Sequence, residues 1–91
     1  MNEHDYQNDL MRAKYMQKCD EQNERFWMGY ILGLHRGHDG DNFQCPHFEL
    51  MNVPSNCMDK GLLQKSQGYK AGLKAFESGI PYTECVSTRE N

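Results

Sequence analysis

The stretch HRGHDGDNFQCPH, from His35 to His47, puts three histidines and a cysteine within thirteen residues, and Cys57 follows ten further on. Imidazole and thiolate are the groups zinc takes, four at a time and tetrahedrally. His35, His38, Cys45, His47 and Cys57 are therefore the candidate zinc set, although the chain lacks the paired Cys-x-x-Cys and His-x-x-x-His frames typical of such sites. The competing reading is a capping or exposed histidine cluster beside buried free thiols, which behave as ordinary small core residues. The aspartates of DGDN, Asp39 to Asn42, have calcium-ligand character, but the twelfth-position glutamate of a calcium loop is missing. Cys45 with His47 or His38 would also make a thiolate pair for nucleophilic catalysis. A small domain offers little depth for a dry active site. The expectation is a protein that is not an enzyme, takes no small-molecule substrate and carries no cofactor, with zinc as the alternative.

The elements that must position these residues belong to one domain, 1–91, since 91 residues are too few for two. A chain of this size buries only about 60 to 65% of its unfolded surface, so its core is thin. Ten Lys and Arg against thirteen Asp and Glu give a net charge of -3, which argues against a large phosphate-binding surface. No apolar run approaches the roughly 18 residues that would span a bilayer. The start, MNEHDYQNDL, has neither the basic residues nor the apolar run of a secretion signal. A cytoplasmic setting without membrane partners is expected, with Cys19, Cys45, Cys57 and Cys85 reduced; two disulfides are the alternative for an exported chain.

The fold class expected is mainly α: a small helical hairpin or bundle of two to three helices with a long apolar loop between them. Tyr6, Leu10, Ala13 and Met16, and then Trp27, Tyr30, Ile31 and Leu34, keep helical spacing, so a helix is predicted over about 3–37. The polar octet from Lys18 to Arg25 holds no strong breaker, which favours one continuous helix over two. Gly37 is placed to end it. Residues 38–55 read as a loop carrying Phe43, Phe48, Leu50, Met51 and Val53, with a short strand or turn around Phe48 to Asn52. A second helix follows over about 56–78. Ser55 or Asn56 would cap it, and Gly79 and Pro81 would close it. Its apolar stripe is Leu62, Tyr69, Leu73 and Phe76. Residues 80–91 read as a tail.

Two segments repeat one pattern 39 residues apart: GYILGL at Gly29 to Leu34 and GYKAGL at Gly68 to Leu73. A glycine inside a helix costs about 1 kcal/mol relative to alanine. Residues four apart share a helix face, so Gly29 with Gly33, and Gly68 with Gly72, each make a notch without side chains. A notch lets a second helix approach closer than the usual separation of about 8–10 Å. The predicted use is a tight helical hairpin with Tyr30 and Tyr69 beside the crossing. The same faces would also serve a homodimer.

With these motifs the chain resembles bacterial ribosome modulation factor and its small relatives, many of which look phage-borne. That family carries Gly-Tyr-x-x-Gly on a helix, a loop with Cys-Pro-Tyr, and a second helix with a Gly-Trp or Gly-Tyr pair. GYILG at Gly29 to Gly33, CPH at Cys45 to His47 and QGYKA at Gln67 to Ala71 match in that order, with histidine in place of tyrosine. Another registration sets GYKAG and IPY, Gly68 to Gly72 and Ile80 to Tyr82, on the first two elements, and a duplicated module is a further option. The resemblance implies a small helical pair that binds the ribosome and silences translation. The founding member is strongly basic, however, and this chain is net acidic.

Two function classes follow. The leading expectation is a non-enzymatic interaction protein that binds and modulates or inhibits a macromolecular complex of a host, as a phage or mobile-element inhibitor would. Its partner face is assigned to Arg25, Phe26, Trp27, Tyr30, His47 and Phe48, because Trp, Tyr and Arg dominate protein interfaces. Consecutive Phe26, Trp27 and Met28 point in three directions, so a two-helix core would leave at least one of them exposed. The rival is a ribosome- or RNA-binding modulator working through Lys60, Lys65, Lys70 and Lys74 on the last helix. A solvated helix face is the plainer reading of those charges.

Overall fold

The computed structural model describes residues 1–80, apart from the Asp41 side chain; the tail expected over 80–91 lies, beyond Ile80, outside the described residues. Among the described residues the chain is mainly helical and has no strand. Helix α1 spans Glu3–Cys19, α2 Glu24–Asp39, α3 His47–Met51 and α4 Lys60–Ser78, with single 3-10 turns over Glu21–Asn23 and Gly40–Asn42.

The expected continuous helix over 3–37 is broken into two. Nothing in the polar octet forbids helix on its own account; the break is made by side-chain bonds. Asp20 leaves helical geometry at φ -106° and ψ 75°. Its carboxylate accepts from Asn23 Nδ2 at 2.9 Å and from Trp27 Nε1 at 3.3 Å. Competition of this kind between Asp side chains and the helical backbone favours turns. The corner folds α1 back along α2 in the antiparallel sense: Asp20 meets Trp27, Asp9 meets Tyr30, and Tyr6 meets His35. A third helix therefore covers the aromatic side of α2. Tyr6, Leu10, Ala13, Trp27, Tyr30, Leu34 and Ala75 form the core.

Helix α4 begins later than predicted. Asp59, not Ser55 or Asn56, is its N-cap, accepting from the Leu62 amide at 3.0 Å, and Gly79 ends it in the left-handed region at φ 76°. At the other boundary Gly37 does not end α2, which runs on to Asp39 before Gly40 at φ 64°. Gly37 is instead a packing position, since a Cβ there would lie 2.7 Å from Cγ of Phe76.

The sense of the main crossing differs from a hairpin. A Cβ on Gly29 would meet the Lys65 carbonyl and the Tyr69 amide, and one on Gly33 would meet Tyr69 and Leu73. Reciprocally, Gly68 faces Phe26, and Gly72 faces Tyr30 and Leu34. Contacts advance together along both helices at the 39-residue offset, so α2 and α4 run parallel and are related by an approximate twofold. Parallel neighbours require a return connection, and residues 40–59 supply it. That segment is not one long apolar loop. It contains α3, whose Leu50 is buried while Phe48 and Met51 are exposed.

Candidate functional site

The two repeats place two tyrosines in equivalent positions. Tyr30 and Tyr69 are both 0% exposed, and a buried phenol needs a partner for its hydroxyl. Each finds it on the element that precedes its own helix. Tyr30 donates to Oδ2 of Asp9 on α1, and Asp9 is itself fully buried. The Tyr69 hydroxyl lies 2.5 Å from Nδ1 of His47 and 3.5 Å from Sγ of Cys45. Burial pushes the Tyr69 phenol well above its ordinary range, so it stays protonated. Ser66, two residues before the first glycine of the α4 pair, donates its hydroxyl to the Leu50 carbonyl. His47 and Leu50 thus pin α3 onto α4.

The five candidate zinc residues do not converge. His35 bonds the Tyr6 hydroxyl through Nδ1 at 2.8 Å, and burial lowers its pKa, favouring neutral imidazole. His38 lies between Oδ1 of Asp39 at 2.7 Å and Oε2 of Glu3 at 2.6 Å. Those two bonds, Asp39 first, raise its pKa. Glu3 is correspondingly lowered, by Gln7 and then His38. Cys45 and His47 share the Tyr69 hydroxyl, and Cys57 donates to the Asp59 carbonyl at 3.7 Å. Each residue already has a setting of its own. Among the described residues no three His, Cys, Asp or Glu side chains gather as a metal centre.

The histidine corner instead clasps helix ends. Tyr6 stacks on His38 with ring centroids 4.1 Å apart and meets Phe76 edge-on at 5.9 Å. The N-terminal turn of α1, the end of α2 and the end of α4 meet there.

The partner face assigned from sequence is divided by the fold. Trp27, 4% exposed, and Tyr30 are core residues because α1 covers them. Phe26 and Met28 are half-buried and Arg25 is exposed. Phe48 is 80% exposed, while its neighbour His47 is half-buried against Tyr69. Phe48 is not alone: Met58 is 96% exposed, and Met51 and Leu62 are exposed as well. All four fall on α3, the segment after it, or the first turn of α4. Sequence reading missed Met51, Met58 and Leu62 as surface residues. The available signal was Met58 itself, an apolar side chain isolated within the polar run SNCMDKG.

The lysines divide as well. At about 100° per residue, Lys60, Lys70 and Lys74 share the outer face of α4, and all three are exposed. Lys65 lies on the side facing α2, where its carbonyl borders Gly29. Among the described residues Lys60, Lys70 and Lys74 form no ion pair. Of the described helices none is long and apolar enough to cross a membrane.

Comparison with protein-family models, with curated proteins and with solved structures returns no match. The likeness to ribosome modulation factor therefore rests on the three short motifs alone.

Proposed function

We propose that this chain is a small non-enzymatic interaction protein of the cytoplasm that docks on a host macromolecular complex and modulates or inhibits it, in the manner of a phage or mobile-element inhibitor. The observation supporting this is Phe48: a large aromatic side chain, 80% exposed, on a helix held in place by the buried Leu50 and the Ser66 bond. Rigid aromatic anchors contribute disproportionately to interfaces because little side-chain entropy is lost when they are covered. Arg25 is an accessible member of the same proposal. Trp27 and Tyr30 are not, since they hold the core.

The test is photocrosslinking with benzoylphenylalanine at position 48, with position 11 on α1 as the control site. A discrete crosslinked species formed from position 48 alone, and lost on competition with wild-type but not Phe48→Asp protein, is expected. Equal labelling from both sites would sink the reading. Ribosomal proteins as the crosslinked species would favour the second reading, a translation modulator of the ribosome modulation factor type. Lys60, Lys70 and Lys74, exposed and without an ion pair among the described residues, support that alternative. It requires RNA affinity that falls steeply with salt and weakens on Lys70→Glu.

A further inference from the structure

We propose that Cys45 is a modification site for peroxides and soft electrophiles, its thiol activated by His47 through the Tyr69 hydroxyl. Three features of the fold build the arrangement. Cys45 and His47 flank Pro46, and the His47 amide donates to the Cys45 carbonyl at 2.7 Å, a tight turn that gathers both side chains on one side. Tyr69 is locked at the glycine crossing, so its hydroxyl is a fixed point. That hydroxyl is 3.5 Å from the sulfur and 2.5 Å from the imidazole nitrogen.

One hydroxyl both accepts and donates a hydrogen bond. With the thiol donating to Tyr69 Oη and Tyr69 donating to His47 Nδ1, a continuous donor chain runs from sulfur to imidazole. Shifting each proton one step along it converts thiol and imidazole into thiolate and imidazolium, and the tyrosine ends neutral. No tyrosinate forms, consistent with burial holding Tyr69 protonated. Cys45 is half-buried rather than enclosed in the core. The other described cysteines have different company: Cys57 donates to a backbone carbonyl, and Cys19 is exposed on α1 beside Tyr15.

The chemistry balances without a metal or cofactor. With hydrogen peroxide, the thiolate attacks one oxygen, an S–O bond forms and the O–O bond breaks. The departing hydroxide takes the proton from His47, leaving sulfenic acid and water; sulfur is oxidised by two electrons and the peroxide is reduced by two. With iodoacetamide an S–C bond forms, iodide leaves, and the imidazolium proton passes to solvent.

The experiment is site-resolved mass spectrometry of iodoacetamide alkylation on the full chain, in wild type, Tyr69→Phe and His47→Gln, with dimedone trapping after peroxide. Cys45 is expected to alkylate about tenfold faster in wild type than in either variant, with Cys19 unchanged, because thiolate rather than thiol is the nucleophile. Unfolding cannot imitate that result, since exposing Cys45 would raise its rate. A Cys45 rate that is unaltered or higher in His47→Gln overturns the proposal.

Discussion

Replacing Gly68 by alanine sets two effects of opposite sign against each other. In an isolated helix the change gains about 1 kcal/mol of propensity. In this fold the new Cβ would stand 2.7 Å from the Phe26 carbonyl carbon and closer still to its oxygen. The obstruction is backbone, which cannot rotate aside as a side chain would. Carbon atoms pack at about 3.5–4.0 Å, so α2 and α4 must separate by about 1 Å, and a gap of that size forfeits about a quarter to a half of each contact along the crossing. Overpacking of cores costs about 1–3 kcal/mol, and the upper end applies where backbone is struck. After the propensity gain, Gly68→Ala should be destabilised by about 2 kcal/mol. At about 4–8 °C per kcal/mol for a domain of this size, thermal denaturation followed by circular dichroism should show Tm lowered by about 10 °C. Gly61→Ala is the control: it lies on the same helix, and its Cβ would have only Asp59 Oδ1 at 3.4 Å and Arg25 Cγ at 3.9 Å nearby. It should be neutral or slightly stabilising. If Gly68→Ala melts at or above wild type alongside Gly61→Ala, the glycines are not held by the crossing and the reasoning fails.

Three further outcomes are expected. Tyr30→Phe removes a donor from the fully buried Asp9 carboxylate and should cost about 1.5–3 kcal/mol in urea unfolding; a loss under 0.5 kcal/mol would contradict the bond. Asp20→Ala should remove the acceptor that Asp20 offers the Trp27 indole N–H and loosen the α1–α2 corner, costing about 1 kcal/mol, with a shift in tryptophan emission that an unchanged spectrum would refute. The two clasp histidines should titrate on opposite sides of 6.5 by NMR, His38 above and His35 below. The signs follow from linkage. His38, raised, contributes stability that is complete below 6.5 and lost as pH rises through its folded value. His35, lowered, contributes stability that is present above 6.5 and lost as pH falls. Midpoints in the reverse order would refute the assigned partners.

How much of this was legible in the sequence depends on the range of each cause. Glycines four apart specify a notch by local geometry, so Gly29, Gly33, Gly68 and Gly72 were readable as crossing positions. The direction of the crossing was not, because a GxxxG face looks the same to a parallel and an antiparallel neighbour. The break at Asp20 depends on an indole seven residues away, which no breaker residue advertises. That break brings α1 over α2, and so decides the fate of Trp27 and Tyr30: interface chemistry by composition, core residues once a third helix covers them. The His-Cys run was compact along the chain but not in space, since α2 carries His35 and His38 on to a corner with α1 while Pro46 turns Cys45 and His47 towards Tyr69. Asp9 was missed for a related reason. A carboxylate between Tyr6 and Leu10 reads as solvent-facing until Tyr30, 21 residues on, supplies its donor.

The parallel, glycine-notched crossing underlies the placement of α3, Phe48 and the Tyr69 hydroxyl, and one spectrum tests it. In a nuclear Overhauser experiment on protein carrying labelled glycine, the Hα protons of Gly33 and Gly72 should show a strong cross-peak. A Cβ on Gly33 would lie only 3.0 Å from the Gly72 Cα, and the reciprocal distance is 3.1 Å. An antiparallel hairpin would pair Gly29 with Gly72 and Gly33 with Gly68 instead; cross-peaks in that pattern, without the one between Gly33 and Gly72, would contradict the account.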